Sequence, residues 1–221
     1  MHGLDERAWR YAQGYPVRAD VGAAYAKLHD GWLPGTPQLA LALYVRFAEL
    51  ARQAYADRGI PESVWQATMS DLGVWALQLR PGVWGVTEIG WLANHLTLRV
   101  FRLGRLQFEP KDGHVDVHIP EGEALRPQDC DASFDSAVRM FGITRFECDS
   151  WLLSPDLAEV LPPSSNIRSF AERFTVVEVD ERDAQAYERI TEGGSLYERT
   201  RALFAEGRNI RTARGFLDVG E

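Results

Sequence analysis

Residues 101–122, FRLGRLQFEPKDGHVDVHIPEG, mark the point where the sequence changes from helical to strand-like patterning. Apolar and polar side chains alternate along 99–109 and again along 114–119, which is typical of strands that bury one face. Between them, PKDG combines a proline with an Asp-Gly pair and favours a tight turn. The stretch predicts two paired strands, the second of which ends in the polar segment HIPEG.

The residues before this stretch have helical spacing. Thr36 and Pro37 supply a capping residue followed by proline at the first helical position, and this helix is expected to end at Gly59. Further helices are expected from Pro61 and from Glu88. The apolar residues of the first helix are too dense for a one-sided surface helix, so we expect it to lie between other elements.

The residues after this stretch alternate between helix and strand. A helix is expected from Pro127 to Gly142, then a strand over 145–154, a short helix, a strand over 174–181 and a charged, helix-prone tail with weaker packing. This order predicts an α+β fold. We expect a helical N-terminal domain of residues 1–98 packed on a mixed-sheet C-terminal domain of residues 99–221 that ends in the charged helical tail.

The composition excludes several classes of function. The chain has 221 residues, a net charge of −8 and a pI of about 5.2. An acidic surface disfavours nucleic-acid binding. No apolar run approaches the roughly 18 residues of a membrane span, and no signal segment is evident, so we expect a cytoplasmic protein that binds no membrane. Cys130 and Cys148 lack ligand spacing, so no metal site is expected.

Five longer phrases carry a family resemblance: GIPESVWQATMSDLGVW, EIGWLANHLTLRVFRLGRLQFE, VDVHIPEG, DSWLLSP and SSNIRSFAERF. Together they resemble a bacterial family of acyltransferase-domain-containing proteins, in the same order along the chain. That family joins a helical N-acyltransferase N-terminal domain to a GNAT-like C-terminal domain. The likeness covers residues 30–179, most of the chain.

The resemblance implies a site for coenzyme A. In the GNAT fold a splayed strand presents its backbone to pantetheine, and the next helix presents its N-terminus to the pyrophosphate through a glycine-rich loop. By strand order, 114–119 would be the splayed strand and 120–126 the loop. The residues implied as CoA contacts are Val117, His118, Ile119, Gly122 and Arg126.

The loop departs from the pattern of the superfamily. PEGEALRPQDCD has a single glycine, Gly122, and Pro127 removes one N–H donor. Its four carboxylates are opposed in this segment only by Arg126, which disfavours a doubly charged ligand. Acidic residues are also the ordinary choice in a first helical turn. CoA binding and its absence both stay open.

Three residues are candidates for proton transfer. His118 would serve as a base near working pH, although a histidine hydrogen-bonded at a domain interface fits the same pattern. Glu147 and Asp149 share a strand face with Trp151, and either carboxylate could accept a proton from an amine. The resemblance implies a tyrosine shortly after this strand, but the segment 152–161 contains none, so the general acid is unassigned.

Aromatic residues of the helical half suggest an acceptor groove. Trp84 and Trp91 could line it, and His95 follows Trp91 by one helical turn on the same face. Packing between the two halves explains the tryptophans equally well.

Arg102 and Arg105 lie on opposite strand faces, so we expect one of them to be solvent-exposed. Residues 164–168 offer a second phosphate site, with helix capping favoured.

These features support one leading function and two alternatives. The resemblance implies an acyl-CoA-dependent N-acyltransferase that acts on the amine of a small-molecule acceptor. The first alternative is a non-catalytic GNAT-like module that binds a small molecule or a protein partner and no CoA. The second, a hydrolase or lyase, lacks a GxSxG motif. The sequence does not indicate an oligomeric state.

Overall fold

The computed structural model describes residues 21–33, 36–77, 86–181, 186, 189–190 and 195–220. It divides into two compact units, Met1–Leu103 with Gln107–Glu109 and Gly104–Leu106 with Pro110–Glu221. The helices in the described ranges are α1 Val21–His29, α2 Pro37–Asp57, α3 Glu62–Leu77, α4 Val86–Leu96, α5 Pro127–Phe141, α6 Leu157–Val160, α7 Asn166–Ala171 and α8 Ser195–Ala205. The strands are β1 Phe101–Leu103, β2 Leu106–Pro110, β3 Val115–His118, β4 Arg145–Ser150, β5 Thr175–Asp180 and β6 Thr212–Asp218.

Helix α2 is the centre of the first unit. Thr36 caps it as predicted, accepting a hydrogen bond from the backbone N–H of Leu39 at 3.2 Å, and Pro37 occupies the first turn. Tyr44 and Phe47 on this helix are fully buried, and α1, α3 and α4 all pack against it. The prediction that this helix lies between other elements is confirmed.

Two tyrosines, half-buried Tyr25 and buried Tyr55, join the helices of this unit through their hydroxyl groups. The Tyr25 hydroxyl donates to the carbonyl of Leu96 at 2.6 Å, and the Tyr55 hydroxyl donates to that of His95 at 3.1 Å. Burial raises the pKa of Tyr55, which keeps its hydroxyl a donor. Both bonds satisfy carbonyls at the end of α4, where a helix has no internal partners for them.

None of the described helices is long and apolar enough to cross a membrane.

The stretch expected to be one strand before the PKDG turn is two strands. A tight turn at Gly104 and Arg105 separates β1 from β2, so the prediction of a continuous strand over 99–109 is wrong. Gly104 has a φ of +67°, a backbone conformation that residues other than glycine rarely adopt. Neither arginine of this hairpin is exposed, contrary to expectation: Arg102 is half-buried and Arg105 is buried.

The six strands form one sheet in the order β1-β2-β3-β4-β6-β5. The last strand, β6, pairs antiparallel with both β4 and β5 and so lies inside the sheet. The tail was expected to be helical and weakly packed. That holds for α8, but it is wrong for 212–218, where Thr212 and Ala213 are buried. An internal glycine, Gly215, and two charged side chains, Arg214 and Asp218, weaken the strand pattern there.

Helix α5 covers one face of the sheet in the second unit. It begins at Pro127 and ends at Phe141, with Gly142 as its C-cap, as predicted. Its apolar face carries Phe134, whose ring lies 5.0 Å from that of Phe146 on β4 in an edge-to-face arrangement. The same ring lies 6.3 Å from Phe174. This contact fixes which face of β4 is core and which is left for polar side chains.

Candidate functional site

The strands β3 and β4 are parallel and pair over only two register positions. Val115 is aligned with Phe146, and Asp116 with Glu147. Within the described residues the pairing stops there, although β3 runs on to His118 and β4 to Ser150. From Cys148 onward, β4 keeps its pairing with β6 on the other side. β3 thus runs two residues past the last register position that it shares with β4.

The register also decides which side chains share a face. Because aligned residues of neighbouring strands point the same way, Asp116, His118, Glu147 and Asp149 all lie on one face of the sheet. The opposite face carries Val115, Val117, Phe146 and Cys148, all buried. The predicted alternation of β3 and β4 is confirmed. Trp151 is an exception, because β4 ends at Ser150 and Trp151 begins a 3-10 turn, so its predicted place on this face is wrong.

Glu147 belongs to a network of partly exposed ion pairs. Its carboxylate lies 3.7 Å from the guanidinium of Arg145 and 4.0 Å from Nε2 of His114. The same Nε2 lies 3.2 Å from Asp116, whose other oxygen is 3.7 Å from the ammonium of Lys111. The donor atoms of His114, Asp116 and Glu147 lie within 4.8 Å of one another, close enough to hold a cation. Lys111 and Arg145 already offset both carboxylates, which favours the ion-pair network.

Asp149 and His118 have different surroundings on the same face. Asp149 is exposed and lies 3.4 Å from Arg214, which also contacts Glu178 at 3.3 Å. His118 is half-buried, and its Nε2 atom is enclosed by protein. The structure therefore puts the three predicted catalytic side chains on one face. Their roles stay predictions.

The loop between β3 and α5 is exposed at 121–124 and at Arg126, whereas Pro120 and Leu125 are buried. Gly122 has a φ of +124°, and a Cβ there would meet nothing within 4 Å, so it needs glycine for its backbone conformation alone. Arg126 is the N-cap residue of α5 and makes no side-chain capping bond in the described structure. Its guanidinium is mostly exposed and lies 4.0 Å from Asp129. The first turn of α5 is thus a helix N-terminus without a side-chain cap.

Two arginines that the sequence does not place near this loop lie beside it. The Nε of Arg105 donates to the carbonyl of Glu123 at 2.7 Å, and its Nη1 donates to that of Pro120 at 2.8 Å. Arg173 donates from Nη2 to the carbonyl of Pro127 at 3.0 Å and to Asp131 at 2.6 Å. Burial raises the pKa of Cys130, and both arginines act in the opposite direction. The expectation that Arg126 alone opposes the acidic residues is wrong.

The second phosphate candidate is a capped helix. Ser165 is the N-cap of α7 and accepts from the N–H of Ile167 at 3.2 Å. The guanidinium of Arg168 donates to the carbonyl of Leu161 at 3.3 Å and lies 3.7 Å from Glu172. These contacts agree with the capping role that the sequence favoured. Ser154, in the segment where the resemblance implies a tyrosine, is buried and donates to the Asp156 carboxylate at 3.3 Å.

The predicted acceptor contacts belong to the first unit. Trp84 lies outside the described residues, and Trp91 is half-buried with its ring 5.2 Å from that of His95. His95 is fully enclosed: its Nδ1 lies 3.1 Å from the carbonyl of Trp91, and its Nε2 lies 3.2 Å from Asp71 and 3.1 Å from the amide of Gln107. These contacts favour a structural role for His95. Substrate binding by these residues stays a prediction.

Asp71 is the acidic member of this enclosed cluster. Burial alone would raise its pKa, but the hydrogen bond and charge of His95, with further bonds from Gln107 and Trp75, outweigh burial and hold the pKa below its usual range. The indole of Trp75 donates to the Asp71 carboxylate at 3.2 Å. A charged group is thus held inside the unit by three side chains.

Family models match both parts of the chain. Residues 100–217 match the model described as a GNAT-like C-terminal domain. The chain belongs to the GNAT-like C-terminal domain family. Residues 4–98 match the model of an N-acyltransferase N-terminal domain. This is the domain pair that the sequence resemblance implied, so that prediction and the predicted α+β fold are confirmed.

Solved structures share the fold of this family member. An acyltransferase in complex with decanoyl-CoA and teicoplanin is 23% identical, with a TM-score of 0.77 over 98% of this chain and 85% of that chain. An acyltransferase mutant in complex with octanoyl-CoA is 22% identical, with a TM-score of 0.78 over 98% and 84%. A third, in complex with CoA and 10C-teicoplanin, is 22% identical with a TM-score of 0.77 over 98% and 85%. No curated protein matches the chain.

Proposed function

We propose that this protein transfers an acyl group from acyl-CoA to the amine of a small-molecule acceptor. The observation that carries the proposal is the parallel pair β3–β4, whose register ends at Asp116 and Glu147 beside the N-terminus of α5, in a chain of the GNAT-like family. Similar solved structures hold CoA, octanoyl-CoA or decanoyl-CoA, which supports a CoA thioester as donor. Two of them also hold teicoplanin or 10C-teicoplanin, which supports a small-molecule acceptor.

The proposed cofactor site follows the end of β3 into the loop. The backbone of Val117, His118 and Ile119 would lie along pantetheine, because this segment follows the last register position that β3 shares with β4. Gly122, Arg126 and the first N–H groups of α5 would hold the pyrophosphate. Arg105 and Arg173 add positive charge close to the loop, which offsets the acidic residues that argue against such a site.

The proposed chemistry is nucleophilic substitution at a thioester. The acceptor amine attacks the carbonyl carbon and forms the new C–N bond, and the C–S bond to CoA breaks as the tetrahedral intermediate collapses. The nitrogen loses one proton, which His118, Glu147 or Asp149 would accept directly or through water. The leaving thiolate takes up a proton and departs as CoA thiol. Positioning of the two reactants supplies most of the rate.

Isothermal titration with CoA, acetyl-CoA and decanoyl-CoA tests the cofactor. We expect binding in the micromolar range that Arg126→Glu weakens by about tenfold or more, because the substitution reverses a charge at the pyrophosphate site. The matched control is Arg139→Glu, which makes the same charge change at the other, exposed end of α5. The absence of binding to all three ligands would contradict the proposal.

The acidic loop supports a second candidate, a GNAT-like module that binds a small molecule or a protein partner without CoA. Glu121 and Glu123 are exposed where the pyrophosphate would lie, and the segment 152–161 after β4 contains no tyrosine. This candidate predicts that none of the three CoA ligands produces heat or raises the melting temperature. The same titration therefore separates the two functions.

A further inference from the structure

We infer that Arg105 is the positioning residue of the CoA pyrophosphate loop, an inference that rests on the function proposed above. Its side chain extends from the β1–β2 turn to the loop and donates hydrogen bonds to two backbone carbonyls of the loop. It would do for 120–126 what several glycines do in a glycine-rich loop, which is to set the path of the backbone around the phosphates.

The two hydrogen bonds of the guanidinium bracket the loop. One accepting carbonyl belongs to Pro120, two residues after the end of β3, and the other to Glu123, three residues later. At 2.8 and 2.7 Å both are short bonds from a charged donor, the stronger class of hydrogen bond. Arg105 is only 7% exposed, whereas the acidic side chains of the loop face solvent. The buried guanidinium of Arg105 therefore restrains the backbone of a loop whose acidic side chains are exposed.

The turn that carries Arg105 is itself anchored to α5. The Ser133 hydroxyl accepts from the backbone N–H of Arg105 at 2.9 Å and donates to the carbonyl of Asp129 at 2.7 Å. A Cβ at Gly104 would come 2.8 Å from the same hydroxyl oxygen, so the turn and the helix are in close contact. Arg105 therefore ties both sides of the proposed pyrophosphate site together: the loop through its side chain and the first turns of α5 through its backbone.

The charge of Arg105 also acts at the start of α5. Burial raises the pKa of the Cys130 thiol, and the charges of Arg173 and Arg105 both act against that effect. Glu121, Glu123, Asp129 and Asp131 are the acidic residues of the loop and this turn. A cation beneath the loop reduces the repulsion they exert on an incoming pyrophosphate.

The test compares a ligand that has the pyrophosphate with one that lacks it. Decanoyl-CoA and S-decanoyl-pantetheine are titrated against the full chain and against Arg105→Gln, Arg105→Lys and Ser133→Ala. We expect Arg105→Gln to weaken decanoyl-CoA by about tenfold or more while leaving decanoyl-pantetheine unchanged. Arg105→Lys keeps the charge and should recover part of the affinity. Ser133→Ala loosens the same turn but keeps the guanidinium, so it should lower the melting temperature and weaken decanoyl-CoA less than Arg105→Gln does.

Equal affinity of Arg105→Gln and the natural chain for decanoyl-CoA would overturn the inference. So would an equal loss for both ligands, because that is the result of general destabilisation. Where Arg105→Gln does not fold, the same comparison of the two ligands is made with Arg105→Lys. Unchanged affinity for decanoyl-CoA, or an equal loss of affinity for both ligands, would again overturn the inference. Hydrogen exchange at 120–126 without ligand is the independent readout: faster exchange in Arg105→Gln supports the loop-holding role even if the natural chain binds no CoA, in which case the proposed function alone has failed.

Discussion

The Asp71 carboxylate oxygen and Nε2 of His95 lie 3.2 Å apart, with side chains that are 4% and 0% exposed. The pair joins α3 to α4 inside the helical unit, where neither group has water to replace its partner. Removing one member of such a pair leaves the other buried and unsatisfied, which costs more than the pair contributes.

We expect Asp71→Asn to lower the free energy of unfolding by about 3 kcal/mol or more. Urea denaturation at neutral pH measures it. Glu159→Gln is the matched control, since it makes the same acid-to-amide change in an exposed ion pair with Arg208 at 2.8 Å. The control should change stability by less than about 1 kcal/mol. Equal effects of the two substitutions would contradict a structural role for the buried pair.

The same carboxylate predicts how stability depends on pH. The folded pKa of Asp71 is lower than the unfolded one, so the unfolded state takes up the proton first as pH falls. Its contribution is complete above the ordinary pKa of an aspartate, about 3.9, and is lost as pH falls through the lower, folded pKa. The difference in unfolding free energy between the natural chain and Asp71→Asn should therefore shrink below about pH 4. A difference that stays constant from pH 6 to pH 3 would contradict this assignment.

Gly104→Ala should destabilise the second unit through two separate effects. The φ of +67° disfavours a residue with a Cβ, and that Cβ would press on the Ser133 hydroxyl. We expect a loss above about 1 kcal/mol in thermal or urea unfolding. Gly113→Ala is the control, because its φ is +82° but the space around it is open. A loss no larger at Gly104 than at Gly113 would show that the contact with Ser133 costs nothing.

His118→Gln should slow acyl transfer by about 10² or more while leaving CoA affinity nearly unchanged, if the imidazole accepts the amine proton. The assay follows CoA thiol release from decanoyl-CoA with an amine acceptor. His114→Gln lies on the same face of the sheet, bonded to Asp116, and serves as the control. A rate for His118→Gln equal to that of the control would show that His118 is not the general base. Glu147→Gln and Asp149→Asn would then test whether either carboxylate has that role.

Neither cysteine should interfere with that assay. Cys130 and Cys148 are both buried, and burial raises the pKa of each thiol. The reactive thiolate is therefore scarce at neutral pH, and contact with a reagent is blocked. We expect no rapid reaction of the folded protein with an aromatic disulfide reagent and two reacting thiols after denaturation. Rapid reaction in the folded state would show that one site opens.

The sequence predicted features that arise from local patterning. The cap at Thr36, the helix from Pro127 to Gly142 and the alternating faces of β3 and β4 all depend on neighbours within one or two turns. The turn at Gly104 was missed because one glycine in an alternating run also fits an uninterrupted strand. The strand β6 was missed because its signal is weak alone and its stability comes from pairing on both sides.

The site was predicted less completely than the fold for the same reason. The face shared by His118, Glu147 and Asp149 follows from alternation and one register. Arg105 and Arg173 reach the loop from 18 and 46 residues away in sequence, and nothing local to either one points to it. Enclosure of His95 likewise depends on Asp71 and Gln107, which come from other elements.

The position of β6 between β4 and β5 has a consequence for synthesis on the ribosome. Arg145–Ser150 and Thr175–Asp180 each pair with 212–218, and β5 has no other neighbour in the sheet. The emerging chain therefore holds β5 without a partner, and one edge of β4 open, until 212–218 have left the exit tunnel. Unpaired strand edges can pair with strands of other chains and so promote aggregation of the nascent protein. The residues of the helical unit all precede Pro110, so this unit is free to fold earlier, while the sheet of the GNAT-like domain closes last.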